Sequence, residues 1–248
     1  MSDMCSYAGG GKCAESAWAD SPDGLCICHA PQNGRDADIA HLVWMIARKK
    51  HNDPVADFTG WHFPTDNEGF LGKTFFGPVR FSRATFENPA RFLNVTFNDT
   101  VQFDEATFSG EARFRHVRFL RNASFVRVVF RDAAEFGAAV FDGNAVFDHA
   151  ACRKYCGFGG ATFNAAAEFK NVSFRGHAVF EAASFKDNAS FDGASFRSNV
   201  NFMRARFEKY VSFEGTAFNG PAIFEEVVLS LGEIAALGLD QNIRRMLP

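Results

Sequence analysis

The sequence has very few tyrosines and tryptophans. It contains 3 Tyr and 3 Trp against 31 Phe in 248 residues. Because an irregular core mixes side chains of many shapes, one large aromatic residue used this often predicts a packing slot that is repeated many times. The length allows one large domain or a medium domain with an appendage.

The sequence also lacks a strong net charge and a long apolar run. Its net charge of −3 predicts neither a strongly basic nucleic-acid binder nor a highly acidic protein. No apolar run approaches the roughly 18–20 residues that span a bilayer, and the first residues lack the charged start and apolar core of a secretory signal. We therefore expect a cytoplasmic protein without a membrane segment. In a reducing cytoplasm, clustered cysteines indicate metal ligands before disulfides.

A series of Phe residues, with Cys152 and Leu229 in two of its places, runs from Phe70 onward in alternating steps of five and six residues. From Val79 onward, a small or β-branched residue stands two positions before the Phe, as in Ala84-Thr-Phe86. Side chains alternate across an extended segment, so the small residue and the Phe face one way and the middle residue faces the other. Corner-forming residues such as Asp-Gly separate the segments. The pattern predicts short strands joined by sharp corners, with Phe and Ala inside.

Four such segments make one coil of 22 residues, because a coil of two segments would be too thin to enclose stacked Phe rings. The outward residues support this period, since arginines recur every 22 residues at Arg131, Arg153, Arg175 and Arg197. The pattern resembles the pentapeptide-repeat family, whose unit centres on an inward Leu or Phe with a small residue two places earlier. The resemblance implies an all-β solenoid, a right-handed quadrilateral β-helix of about seven coils.

A solenoid exposes unpaired strand edges at both ends and needs caps there. We divide the chain into a zinc-binding module (1–33), a helix and N-terminal cap (34–69), the pentapeptide-repeat β-helix (70–229) and a C-terminal helical cap (230–248). In the first cap, Ile39, Leu42, Val43 and Ile46 share one helical face. Residues 230–248 are either a cap alone or a homodimer contact, because members of the resembled family often pair end to end.

The N-terminal cysteines and one histidine have the spacing of a zinc site. Cys5, Cys13, Cys26 and His29 offer four soft or borderline ligands, which suit a closed, tetrahedral and structural Zn²⁺ site. The stretch resembles a short Cys…Cys…Cys-x2-His module that precedes some pentapeptide arrays. Cys28 lies beside the third ligand, so the choice between Cys26 and Cys28 stays open. Four unrelated reduced cysteines are the alternative.

Nothing in the sequence indicates catalysis. The histidines and carboxylates are scattered over different columns, and a Phe-filled interior leaves no cavity for a substrate. Cys152 and Cys156 occupy inward positions, where buried small thiols are expected. We expect no enzyme activity.

The repeated arginines are the candidate binding residues. Arg131, Arg153, Arg175 and Arg197 flank a column of small uncharged residues, and Asp132 offers them a single acidic partner. Stacked like charges repel, so the row is either a solvated surface or a site for an acidic protein face or a nucleic-acid backbone.

The sequence is compatible with three functions. The first is a non-catalytic interaction or scaffold module that binds a protein partner. The second is protection of a topoisomerase (gyrase) by mimicry of DNA, a role known in the resembled family. Residues 70–229 carry 17 Asp and Glu against 19 Lys and Arg, a net charge of +2, which argues against an acidic mimic. The third is nucleic-acid binding through the zinc module and the Arg row, which the modest charge disfavours.

Overall fold

The computed structural model describes residues 26, 28, 29, 43, 46, 47, 50, 52–64 and 70–229. These residues form a parallel β-solenoid with very little helix; residues 43, 46, 47 and 50 are helical. The strands, each two residues long, are β1 (Ala56–Asp57), β2 (His62–Phe63), β3 (Thr74–Phe75), β4 (Val79–Arg80), β5 (Thr85–Phe86), β6 (Ala90–Arg91), β7 (Thr96–Phe97), β8 (Val101–Gln102), β9 (Thr107–Phe108), β10 (Ala112–Arg113), β11 (Arg118–Phe119), β12 (Ala123–Ser124), β13 (Val129–Phe130), β14 (Ala134–Glu135), β15 (Val140–Phe141), β16 (Ala145–Val146), β17 (Ala151–Cys152), β18 (Cys156–Gly157), β19 (Thr162–Phe163), β20 (Ala167–Glu168), β21 (Ser173–Phe174), β22 (Ala178–Val179), β23 (Ser184–Phe185), β24 (Ala189–Ser190), β25 (Ser195–Phe196), β26 (Val200–Asn201), β27 (Arg206–Phe207), β28 (Val211–Ser212), β29 (Ala217–Phe218), β30 (Ala222–Ile223) and β31 (Val228–Leu229).

The strands form four parallel sheets, which we call faces 1 to 4 in their order around the coil. Face 1 has the order β1-β4-β8-β12-β16-β20-β24-β28, and face 2 has the order β2-β5-β9-β13-β17-β21-β25-β29. Face 3 runs β6-β10-β14-β18-β22-β26-β30, and face 4 runs β3-β7-β11-β15-β19-β23-β27-β31. Each strand pairs with the one a coil later, so Val129 is in register with Ala151 and Ala151 with Ser173. The prediction of 22-residue coils with four segments is confirmed.

The solenoid has about eight coils, so the prediction of about seven is wrong. Residues 56–63 already contribute β1 and β2, which pair with β4 and β5 of the next coil. Phe58 and Phe63 take inward places there and stack on Phe81 and Phe86. The step from Phe63 to Phe70 is seven residues. Because this step breaks the alternation of five and six, the first coil is hidden in the sequence pattern.

The core is a set of stacked phenylalanine columns. Phe136 is fully buried, and its ring lies parallel to those of Phe114 and Phe158 at centroid distances of 4.8 Å. Rings of faces 1 and 3 meet edge to face across the interior, as Phe125 does with Phe136 at 5.4 Å and 89°. Both arrangements are preferred by aromatic quadrupoles. The predicted inward positions of Phe and of the small residues two places earlier are confirmed through most of the array.

One column is interrupted at Cys152. Cys152 is buried and stands in register between Phe130 and Phe174 on face 2. Cys156 replaces the usual small residue on face 3 and is also buried, with its Sγ 3.1 Å from that of Cys152. Burial raises the pKa of the Cys156 thiol well above its ordinary value, so it stays protonated. The expectation of two inward thiols is confirmed.

The two corner lengths have different backbone geometry. Where the step is five residues, the corner is a β-turn closed by a hydrogen bond such as that from the Ala139 N–H to the Phe136 carbonyl, 3.1 Å. The third residue of these turns has a positive φ, and eleven of them in the described chain are not glycine, among them Ala138 at 53°. This geometry is that of a type II turn, which favours glycine at its third position. The six-residue steps avoid this conformation through their additional residue.

Ala138→Gly should therefore stabilise the protein by about 1 kcal/mol, because glycine adopts the left-handed conformation without the steric cost that alanine has there. Urea unfolding measures the change. Ala134→Gly is the matched control, since Ala134 is buried within β14, where glycine should destabilise. A loss of stability in Ala138→Gly would contradict this description of the corner.

The ends of the solenoid are described in part. Val43 and Ala47 are helical and fully buried, and Ile46 packs against the same core. The rest of the predicted N-terminal helix and the whole predicted C-terminal cap, 230–248, lie outside the described residues, so both caps remain predictions. Within the described part of the chain, no helix combines the length and apolar character needed to cross a membrane.

Candidate interaction surface

The four candidate arginines form one row along the corner between faces 2 and 3. Each follows an inward residue of face 2, and each is exposed. Backbone hydrogen bonds hold the row in register: the Arg153 N–H donates to the Phe130 carbonyl at 2.9 Å, and the Arg175 N–H donates to the Cys152 carbonyl at 2.8 Å. Parallel coils stack at about 4.8 Å. We call Arg131, Arg153, Arg175 and Arg197 the Arg ladder.

The Arg ladder differs from several other charged positions, which form ion pairs between coils. Several cations pair with a carboxylate one coil away, namely in Arg83–Glu105, Asp132–Lys154, Asp187–Lys209 and Arg204–Glu226, at 2.7 to 2.9 Å. Among residues 52–64 and 70–229, no carboxylate oxygen lies within the 4.0 Å ion-pair distance of a ladder guanidinium. The ladder thus presents a line of unmatched positive charge.

Asp132 is not the partner that the sequence suggested for this row. Its carboxylate accepts a hydrogen bond from Lys154 Nζ at 2.9 Å. That bond, with another from the Ala133 N–H, holds the pKa of Asp132 below its usual value. The reason is the stacking of coils, which places Asp132 directly against the residue 22 positions later.

Face 2 is flat beside the Arg ladder. Its outward residues are short and uncharged through seven consecutive coils: Thr85, Thr107, Val129, Ala151, Ser173, Ser195 and Ala217. Their backbone groups are bonded between coils, as the Ser173 N–H is to the Ala150 carbonyl at 2.9 Å. No long side chain in this column keeps another molecule away from the row.

Two of the four predicted metal ligands lie together at the start of the solenoid. Cys26 is buried, and its Sγ is 3.0 Å from His29 Nδ1. His29 is 5% exposed, and its Nε2 lies 3.0 Å from the Thr59 carbonyl oxygen. Because a carbonyl only accepts, the Nε2 N–H donates this hydrogen bond, and Nδ1 is the ring nitrogen that faces Cys26. The Cys28 carbonyl accepts a 2.7 Å hydrogen bond from the His62 N–H, so this turn is attached to the first coil.

The Cys26 thiol is strongly acidified in this turn. A hydrogen bond from the Cys28 side chain, then the hydrogen bond and charge of His29, lower its pKa to about 3 against the opposing effect of burial. The thiolate is the form that binds metals. Cys5 and Cys13 lie outside the described residues, and the described part of the chain holds no group of three or more His, Cys, Asp or Glu placed to bind a metal ion.

The fold defines the class of protein: a parallel β-solenoid with a Phe-filled interior. Its repeats are similar to pentapeptide repeats, since the sequence profile "Pentapeptide repeats (9 copies)" matches residues 70–118, 158–206 and 180–228. These matches lie wholly within the solenoid, and the structure continues the same coils through residues 119–157. No curated protein and no solved structure matches the chain.

Proposed function

We propose that the protein is a rigid, non-catalytic interaction module that binds an acidic face of a protein partner along the corner between faces 2 and 3. The Arg ladder carries this proposal. Four ion pairs elsewhere on the solenoid join successive coils at 2.7 to 2.9 Å, whereas the ladder stacks four like charges that have no such pair within the described part of the chain. Because stacked like charges destabilise the free protein, a bound row of carboxylates is the arrangement that relieves them.

The flat column on face 2 supports close contact with such a partner. Its side chains are no larger than Val or Thr and lose little rotamer entropy when covered. A rigid surface with an unmatched charged row favours a partner that presents carboxylates at a nearly linear spacing. The net charge of +2 over residues 70–229 speaks against mimicry of DNA.

An affinity pull-down with the full chain first captures the protein partner. Replacing Arg153 and Arg175 together with Ser should then lower affinity for this captured partner and flatten the salt dependence of binding, because screening weakens charge-driven association. The matched control replaces Lys186 and Lys209, which lie at the opposite corner between faces 4 and 1, with Ser. Binding is measured by titration at several salt concentrations. Neither variant alters an inward residue, so unfolding should hardly change.

Full affinity in the Arg153→Ser, Arg175→Ser variant for every partner recovered would refute the proposed surface. Competition by duplex DNA, with a steep loss of affinity as salt rises, would instead assign the Arg ladder to nucleic-acid binding.

We further propose that the N-terminal segment binds one structural Zn²⁺ through Cys5, Cys13, Cys26 and His29. The donors fit zinc, since a thiolate and an imidazole nitrogen are its usual ligands. The hydrogen bond of His29 Nε2 to the Thr59 carbonyl is the kind of outer-shell contact that orients a metal-bound histidine. Zinc at this turn would attach the N-terminal segment to the open edge of the first coil.

Protein purified without chelator and with reduced thiols should carry about one zinc per chain. Cys26→Ser should remove it and Cys28→Ser should retain it, as measured by mass spectrometry of the metal. Absence of zinc in the unmodified chain would refute the site, and the opposite result for the two variants would make Cys28 the third ligand.

A further inference from the structure

Face 3 contains a depression of about 420 Å³ with a floor of glycines. The outward residues of face 3 run Arg91, Arg113, Glu135, Gly157, Val179, Asn201 and Ile223. Gly157 has no side chain in this column, and the Tyr155 ring covers its place. Gly137, Gly159 and Gly160 form the open floor along the corner between faces 3 and 4. We call this feature the face 3 depression.

Tyr155 forms one wall of the face 3 depression. Its ring lies directly on Gly157, where an ideal Cβ would be only 2.6 Å from Tyr155 Cε1. Burial and then the charge of Glu135 raise the pKa of Tyr155, so the phenol stays neutral. The backbone of Gly157 thus gives the aromatic ring its position beside the opening.

Charged side chains complete the walls, and negative charge is in excess. Glu135 and Glu181 line the depression together with one cation, Arg115. Arg115 Nη1 is 3.9 Å from a Glu135 carboxylate oxygen, a loose contact between exposed side chains. Glu181 accepts a weak hydrogen bond from Asn201 Nδ2 at 3.4 Å. Two carboxylates and one guanidinium leave the depression with a net negative charge.

We infer that the face 3 depression binds an arginine side chain of the protein partner that lies along the Arg ladder, an inference that rests on the proposed function. An arginine has the required chemistry, because its planar guanidinium stacks on an aromatic ring and binds carboxylates through paired hydrogen bonds. The depression opens on a flat face, where a free small ligand would stay largely exposed, unlike in a typical ligand pocket. A side chain projecting from a larger surface suits it better.

The position of the depression links it to the Arg ladder. Arg153, Lys154 and Tyr155 are consecutive residues at the corner between faces 2 and 3, so one contact surface reaches both features. A partner that matches both presents carboxylates to the corner and an arginine to face 3. This combination of charges fixes the position of the partner along the solenoid, which a uniform row of like charges cannot do.

The test uses the full chain and N-acetyl-arginine amide as the probe, with the neutral N-acetyl-citrulline amide as the control of similar shape. The amide NMR signals of Gly137, Gly157, Gly159 and Gly160 should shift saturably with the arginine probe and not with the citrulline probe. Gly159→Leu should abolish the shifts by filling the depression. An ideal Cβ on Gly159 lies 3.8 Å from the Glu181 carbonyl oxygen, an ordinary contact, so the coil should accept this change.

For the captured protein partner, Tyr155→Ala and Gly159→Leu should each lower affinity about tenfold, the loss expected for one stacked and ion-paired side chain. Equal shifts with the citrulline probe, shifts that survive Gly159→Leu, or unchanged partner affinity in both variants would overturn the inference.

The Arg153→Ser, Arg175→Ser variant separates this inference from the proposed function, because it should still bind the arginine probe. If that variant loses the partner while the unmodified chain does not bind the probe, the Arg ladder stands and the depression is refuted. If the probe binds as expected but the variant keeps the partner, the proposed binding along the ladder is refuted, and with it the assignment of the arginine to that partner.

Discussion

Phe136→Ala should lower the free energy of unfolding by about 3–5 kcal/mol, the range for truncating a large buried aromatic. The Phe136 ring is fully buried between the parallel rings of Phe114 and Phe158 at 4.8 Å. It also meets the edges of Phe125 and Phe147 at 5.4 Å. A rigid coil held by hydrogen bonds on both sides cannot collapse into the space that the ring leaves. Urea unfolding followed by circular dichroism measures the loss.

Ser195→Ala is the control for that prediction. Ser195 occupies an outward slot of face 2 and is only partly buried, so its loss should cost well under 1 kcal/mol. Equal losses at positions 136 and 195 would mean that the inward and outward assignments are wrong.

Cys152→Phe alone should destabilise the protein by about 1–3 kcal/mol, because it overpacks the core. The Cys156 Sγ lies 3.1 Å from the Cys152 Sγ and therefore occupies space that a ring at position 152 needs. Adding Cys156→Ala should reverse the loss and make the double variant more stable than the unmodified chain, by about 1–3 kcal/mol from the added buried ring. The double variant restores the arrangement of Phe130 with Ala134 one coil earlier.

Thermal and urea unfolding of the two single variants and the double variant give the coupling between the positions. Additive effects of the two changes would contradict this explanation of the interrupted column at Cys152. They would show that the Cys156 thiol does not fill the space beside Cys152.

Most of the solenoid could be predicted from its sequence because each repeat has the same pattern of inward and outward residues. The small residue, the outward residue and the Phe of a segment such as Ala194-Ser-Phe196 reveal the alternation directly, and the 22-residue recurrence of arginine gives the coil length. The first coil was missed because the step from Phe63 to Phe70 is seven residues. That one departure was enough to hide strands β1 and β2.

Surface contacts between coils were harder to predict than the core. The pairing of Asp132 with Lys154 follows from the 22-residue coil, but it was missed because Asp132 was compared only with the arginines beside it. The face 3 depression was missed because a glycine in the sequence is normally assigned to a corner. Gly157 instead lies within a strand. Its signal was available in the register: Gly157 stands at an outward position, in line with Glu135 and Val179.

The contacts of the N-terminal turn could not be predicted at all. His29 meets the Thr59 carbonyl across 30 residues of chain, and Cys28 bonds to His62 in the same region. The separation of the two residues in each pair is not a multiple of the 22-residue coil. The spacing of the cysteines and His29 predicts a zinc site, which stays a prediction, while the attachment of this turn to the first coil required the structure.

The central claim is that the corner between faces 2 and 3 is where this solenoid binds its partner. Chemical cross-linking of the full chain to a captured protein, followed by mass spectrometry, tests it most directly. We expect cross-links to acidic segments of the partner from Lys154 at this corner, and their loss in the Arg153→Ser, Arg175→Ser variant. Cross-links confined to Lys186 and Lys209 at the opposite corner, unchanged in that variant, would contradict it.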